Sequence, residues 1–120
     1  MSVAVSIEAL QDKVAEFGPT AYLLTDGGDG RAHVVSVRAE VSSATVRVSA
    51  GRTSRANTRE NPAATLLWPA PAGGPYSLIV DGDVDPHVDT EGELVIRPTR
   101  AVLHRVADAP ADLPNCITVD

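Results

Sequence analysis

Cysteine, lysine and aromatic residues are all scarce in this 120-residue chain. Cys116 is the only cysteine, so there is no disulfide framework and no cysteine-based metal site. Lys13 is the single lysine beside nine arginines, a skew that coding bias produces as readily as function does. Aromatic residues make up 3% of the chain, which disfavours chemistry that depends on stacking a substrate. No apolar run approaches the roughly 20 residues needed to cross a bilayer. The N-terminus also lacks the basic, apolar and small-residue pattern of a signal peptide. A net charge of −6 argues against a nucleic-acid partner, because such binders usually carry a basic face. The expectation is a soluble cytoplasmic protein that meets neither membrane nor nucleic acid. Its length fits one domain, residues 1–120, with a real core but a short reach for a complete enzyme pocket. An enzyme of this size is expected to take part of its site from a second copy.

Against that background the run Gly51-Arg52-Thr53-Ser54-Arg55-Ala56-Asn57-Thr58-Arg59-Glu60-Asn61-Pro62 stands out. Three arginines fall within eight positions of an acidic chain, around two hydroxyls and an amide. Thr53 or Ser54 is suited to cap a short helix, aiming free N–H groups and a partial positive charge at one point. With Arg52 and Arg55 beside that start, the segment suits a phosphate. The competing reading is a solvated surface helix whose arginines pair with Glu60 and other acids.

The rest of the chain reads as short strands. Ser6 caps a helix whose apolar positions Ile7, Leu10, Val14 and Phe17 follow helical spacing, and Gly18-Pro19 stops it. Ala21–Thr25 is a strand, followed by the turn Asp26-Gly27-Gly28-Asp29-Gly30. From His33 to Val41, Val35, Val37, Ala39 and Val41 face one way and Val34, Ser36, Arg38 and Glu40 the other. Thr45–Ser49 continues after a turn at Ser42-Ser43. Ala63–Trp68 is almost continuously apolar, as expected of a strand buried on both faces. Ser77–Val84 is a further strand, and Glu93–Ile96 and Arg100–Val106 are expected to pair across Pro98. Residues 107–120 read as an irregular C-terminal arm. Six or seven short antiparallel strands with two helices bury their faces and edges best as a small β-barrel.

Several motifs in this order resemble one family. They are Ala21-Tyr22-Leu23-Leu24-Thr25, then Arg31-Ala32-His33-Val34-Val35-Ser36-Val37 after the glycine turn, and the arginine segment ending in Asn61-Pro62. Leu78-Ile79-Val80-Asp81-Gly82-Asp83-Val84 and Ile96-Arg97-Pro98-Thr99-Arg100-Ala101-Val102-Leu103 complete the set. Together, over about residues 6 to 106, the chain resembles the pyridoxamine 5′-phosphate oxidase-like split β-barrel family, including its flavin- and deazaflavin-dependent reductases. The resemblance implies a mainly-β split barrel that forms a homodimer with two cofactor sites at the interface. It assigns the cofactor phosphate to Arg52, Ser54, Arg55 and Asn57. The ring system would lie against Val35, Ser36 and Arg38 of the second strand. The implied cofactor is FMN or an 8-hydroxy-5-deazaflavin coenzyme, and the implied activity is hydride transfer to a small organic substrate. A storage module for such a cofactor, or a cofactor-free structural dimer, is the alternative. Two departures stand out: Ser54 occupies a position where many relatives have lysine, and the longer C-terminal elements of larger members are missing.

No residue pair has the look of a nucleophile with its base. His33, His87 and His104 are far apart and match no metal-ligand spacing. His104 shares a face with Val102 and Val106 and is expected to pack or to lie at an interface. Trp68 is expected in the core or dimer interface, with a place beside a flavin ring as the alternative. Asp81, Asp83 and Asp85 lack a calcium-loop pattern and read as a solvated strand edge.

Overall fold

A computed structural model of the chain describes residues 6–42, 44–86 and 92–119. The expectations on Ser43 and His87 lie outside that range. Helix α1 spans Ile7–Phe17, with Ser6 as its N-cap accepting the Ala9 N–H at 3.3 Å. Leu10 and Val14 turn into the core, and Gly18 ends the helix at φ +95° with its N–H on the Val14 carbonyl. Only glycine takes that backbone conformation freely.

Among the described residues seven strands follow: β1 (Thr20–Asp26), β2 (Ala32–Ser42), β3 (Thr45–Ser49), β4 (Ala63–Trp68), β5 (Tyr76–Val84), β6 (Glu93–Arg105) and β7 (Cys116–Thr118). A second helix, α2 (Arg52–Glu60), crosses from β3 to β4. The sheet order is β3-β2-β1-β4-β5-β6-β7, and β3 also pairs with β6. That pairing closes six antiparallel strands into a barrel and removes their open edges. Alternation supplies the filling: Leu23, Val37, Val48, Leu66, Leu78, Val80 and Ile96 all point inward and are buried. Trp68 is fully enclosed with them and donates its indole N–H to the Gly18 carbonyl at 2.9 Å, tying β4 to the end of α1. A side chain so enclosed does not border a ligand on this protomer, which removes the alternative of a place beside a flavin ring. Among the described residues no helix is long and apolar enough to cross a membrane.

Three expectations change. β4 is buried on one face only: Ala63 is exposed and Thr65 and Leu67 are half-buried on the outside of the barrel. Its outer residues therefore stay partly wet. β6 is one continuous strand of 13 residues rather than two strands paired across Pro98. Its register against β5 slips between Asp81 and Gly82, which places Pro98 opposite Gly82 at a bulge. The missing proline N–H falls where the ladder is already broken. The tail is not wholly irregular, since β7 adds to β6 through Val102↔Thr118, Leu103↔Ile117 and His104↔Cys116. Arg105 holds the intervening turn with bonds to Asn115 Oδ1 and the Ala109 carbonyl, and the Tyr76 hydroxyl donates to the Pro114 carbonyl at 2.7 Å. His104 is exposed, with Nδ1 3.0 Å from the Arg105 carbonyl, so it does not pack within the protomer.

Candidate functional site

The N-cap of α2 is Gly51, at φ −76° and ψ 177°, and no side chain caps the helix. Thr53 and Ser54, expected as caps, lie inside the first turn instead. The chain turns early because Ala50 donates to the Gly92 carbonyl at 2.9 Å, and Arg55 N–H reaches the Gly51 carbonyl at 3.1 Å. The N–H groups of Arg52, Thr53 and Ser54 therefore precede the first helical bond and have no intrahelical acceptor. No acid stands in that first turn. The helix start is an uncapped positive pole.

Polar anchors fix this helix to the end of β1. Asn57 donates to Thr25 Oγ1 at 3.1 Å, and Thr25 is buried. Asn61 donates to Asp26 Oδ2 at 3.1 Å and accepts the Ala63 N–H at the same distance. Ser54 and Thr58 form the buried face, with the Thr58 hydroxyl bonded back to the Ser54 and Arg55 carbonyls. Asp26 also accepts the Gly28 N–H at 2.8 Å. That backbone bond, and then the Asn61 amide, hold its carboxyl below the ordinary value.

The residues assigned by resemblance are dispersed by this arrangement. Arg52 is exposed, and Arg55 is half-buried with its Nε enclosed and unpartnered. Ser54 is 1% exposed, so its hydroxyl is closed to a ligand on this protomer. The Asn57 amide is spent on Thr25. On β2, Val35 leans on the core, whereas Ser36 and Arg38 are exposed on the opposite face. Arg55 lines a cleft of about 800 Å³ that includes no β2 residue. Arg38 lines a separate one of about 290 Å³ with Glu40, Arg47 and Glu93. Neither of these two clefts is lined by both the α2 and the β2 groups.

The larger cleft runs between α2 and the β5–β6 pair, with Arg59 and Arg97 on its lining. Neither was assigned a site role from the sequence. Arg59 had a signal, because it follows Arg55 by four positions and so shares its helix face. Arg97 had none, since only the fold brings β6 beside α2. The expected pairing of the α2 arginines with Glu60 is absent: among the described residues the ion pairs are Lys13–Glu16, Arg47–Glu93 and Arg100–Asp81. Asp81 belongs to a separate outer network, accepting the Thr65 hydroxyl at 2.7 Å and the Arg100 guanidinium at 3.3 Å.

Known proteins place this geometry. No protein-family model matches the sequence. Uncharacterized proteins of Mycobacterium bovis and Mycobacterium tuberculosis are each 38% identical to it, the match covering 82% of this chain and 81% of theirs. Among solved structures, a Clostridium acetobutylicum protein related to general stress protein 26 of B. subtilis, of the pyridoxinephosphate oxidase family, superposes with a TM-score of 0.66. The superposition covers 95% of both chains at 11% identity. A second solved structure superposes with a TM-score of 0.61 at 16% identity, covering 97% of this chain and 95% of the other. The chain thus belongs to the same family as the two mycobacterial proteins, and its closed six-stranded barrel is a pyridoxamine 5′-phosphate oxidase-like split β-barrel.

Proposed function

We propose that this protein is a homodimeric oxidoreductase that binds a flavin-type nucleotide, FMN or a deazaflavin coenzyme, and acts on a small organic substrate. One observation carries the reading. The start of α2 is uncapped, free of acids, and flanked by Arg52 and by Arg55 with its unpartnered Nε. Free helix N–H groups and two guanidinium forks are the donor set a phosphate monoester needs, so the residues present fit the cofactor's phosphate end. Arg52 and Arg55 supply the charge, and the N–H groups of the exposed residues Arg52 and Thr53 complete the cradle. Asn57 and Asn61 hold the helix in place through Thr25 and Asp26. Such a cofactor, when bound, supplies the hydride-transfer chemistry for which no side chain of this protein is equipped.

The dimer is supported by the outer face of the sheet. Cross-strand registers set Val34 beside Leu24, and Tyr22 beside both Ser36 and Leu67, with Ile79 next in the row. Val34 is 52% exposed and Tyr22 41%, a wet apolar surface that a second copy would cover. Such a copy would also bring a second β2, with its Ser36 and Arg38, to the shared surface.

The test is a titration of the purified protein with FMN and separately with the deazaflavin coenzyme, alongside sedimentation to determine mass. The wild-type protein is expected to sediment as a dimer and to bind one coenzyme with micromolar or tighter affinity. A double Arg52→Ala, Arg55→Ala variant should lose two charge-assisted hydrogen bonds. At about 1.5–3 kcal/mol each, that weakens binding at least a hundredfold. Unchanged affinity in a folded double variant would remove the phosphate from this helix.

A further inference from the structure

Arg55 and Arg59 of α2 and Arg97 of β6 all line the 800 Å³ cleft, beyond the helix start assigned to the flavin phosphate. Arg55 and Arg59 are one helical turn apart, and like charges at that spacing weaken a helix. The acid on the helix, Glu60, does not offset them by pairing, and none of the three arginines forms an ion pair among the described residues. Arg55 even keeps Nε enclosed without an acceptor. A structural role for the stripe would leave each of these costs unrepaid.

The remaining lining narrows the ligand. Asp83, Asp85 and Glu93 also border the cleft, and Glu93 is engaged by Arg47 at 3.5 Å. Mixed charge of this kind gives a polyanion no general attraction. A compact head group that takes two parallel N–H bonds from a guanidinium fork gains most, and this favours a carboxylate or phosphate. Pro62, Val84, Pro86 and Leu94 provide apolar surface in the same cleft.

We propose that the α2–β5–β6 cleft binds a small organic anion, a carboxylate or phosphate on an apolar body. Arg59 and Arg97 grip the head group, and Pro62, Val84, Pro86 and Leu94 receive the body. The site stands apart from the flavin reading, which rests on Arg52 and the helix start. Arg55 borders both and stays unaltered in the test.

The full chain is titrated by calorimetry with benzoate, phenyl phosphate and neutral benzyl alcohol, and separately with FMN. At least one of the two anions is expected to bind at millimolar or tighter affinity, and the neutral analogue at least tenfold more weakly. Which anion wins identifies the head group. An Arg59→Ala, Arg97→Ala variant should weaken that anion tenfold or more while leaving FMN affinity as it is. The Arg59→Lys, Arg97→Lys variant keeps the charge but loses the forks, so an intermediate loss is expected, and it serves if the alanine variant does not fold. Neither anion exceeding benzyl alcohol, or full affinity in both variants, would overturn the proposal. A parallel fall in FMN affinity would also overturn it by making the cleft part of the flavin site. Anion binding by a protein that binds neither FMN nor the deazaflavin coenzyme would leave the proposal standing and remove the flavin reading alone.

Discussion

Replacing Gly82 with alanine is expected to destabilise the barrel at the point that sets the path of β6. Gly82 stands opposite Pro98, where the β5–β6 register slips. A Cβ at this position would run into the Arg97 carbonyl oxygen and lie 2.8 Å from Ile96 Cγ2 and 3.0 Å from the Arg97 carbonyl carbon. The obstruction is mainly backbone of a paired strand rather than the end of a flexible side chain, so β6 itself has to move. Forcing an extra methyl group into a packed site costs about 1–3 kcal/mol. Alanine also narrows the unfolded ensemble, which returns about 0.4–1 kcal/mol. With the middle of each range, the net loss is about 1.3 kcal/mol. Urea denaturation measures it directly. With a slope of about 1–3 kcal/mol per molar for a domain of this size, the midpoint should fall by about 0.5–1 M. An unchanged or raised midpoint with the same slope would show that β6 yields freely. It would refute the argument that glycine is required by close approach of the two backbones.

Two further substitutions probe the ends of α2. Gly51→Asp supplies the missing N-cap and places a carboxylate at the positive pole, which should stabilise the protein by about 0.5–1 kcal/mol. The same carboxylate occupies the N–H groups assigned to the phosphate, so FMN affinity should fall as the melting temperature rises. Tighter FMN binding in that variant would count against the helix start as the phosphate site. At the other end, Asp26 is held below its ordinary pKa of 3.8 by the Gly28 N–H and the Asn61 amide. A lowered native pKa gives stability that is complete above the unfolded value and is lost as pH falls through the native one. Asp26→Asn should therefore flatten the acid limb of a stability-against-pH curve below about pH 4, measured by urea midpoints. An acid limb of the same slope in the variant would show that Asp26 does not carry it.

What the sequence made legible follows from how local each signal is. Helix α1 is announced by Ser6, the spacing of Leu10 and Val14, and Gly18, all within one segment. β2 is announced by its own alternation, and the barrel follows from the number of such strands. β6 misled because Pro98 reads locally as a strand end. Its tolerance depends on Gly82, which is distant in sequence and adjacent only across the sheet. β7 is three residues long and all exposed, so it leaves no burial pattern to read. In the candidate site, Arg52 and Arg55 could be read as a pair from sequence because they crowd one helix start. The roles given to Ser54 and Asn57 could not be checked from sequence, since burial against β1 and the bond to Thr25 arise only on folding. Arg97 joins the cleft from another strand, and nothing local marks it.

The division of labour within α2 has a physical cause. β3 and β4 are not neighbours in the barrel, with two strands between them either way round, so the chain between them must make a crossing connection. A nine-residue helix makes that crossing, yet Ala56 is its one apolar side chain, and it is exposed. Hydrophobic burial therefore cannot hold the helix down. Polar contacts do so instead, through Asn57 on Thr25 and Asn61 on Asp26, with Ser54 and Thr58 packed beneath. Because these residues occupy one side of the helix, the arginines on the other side are not needed for its attachment. Their chemistry is free to change without disturbing the barrel, and a helix so attached is suited to carry ligand recognition in this fold.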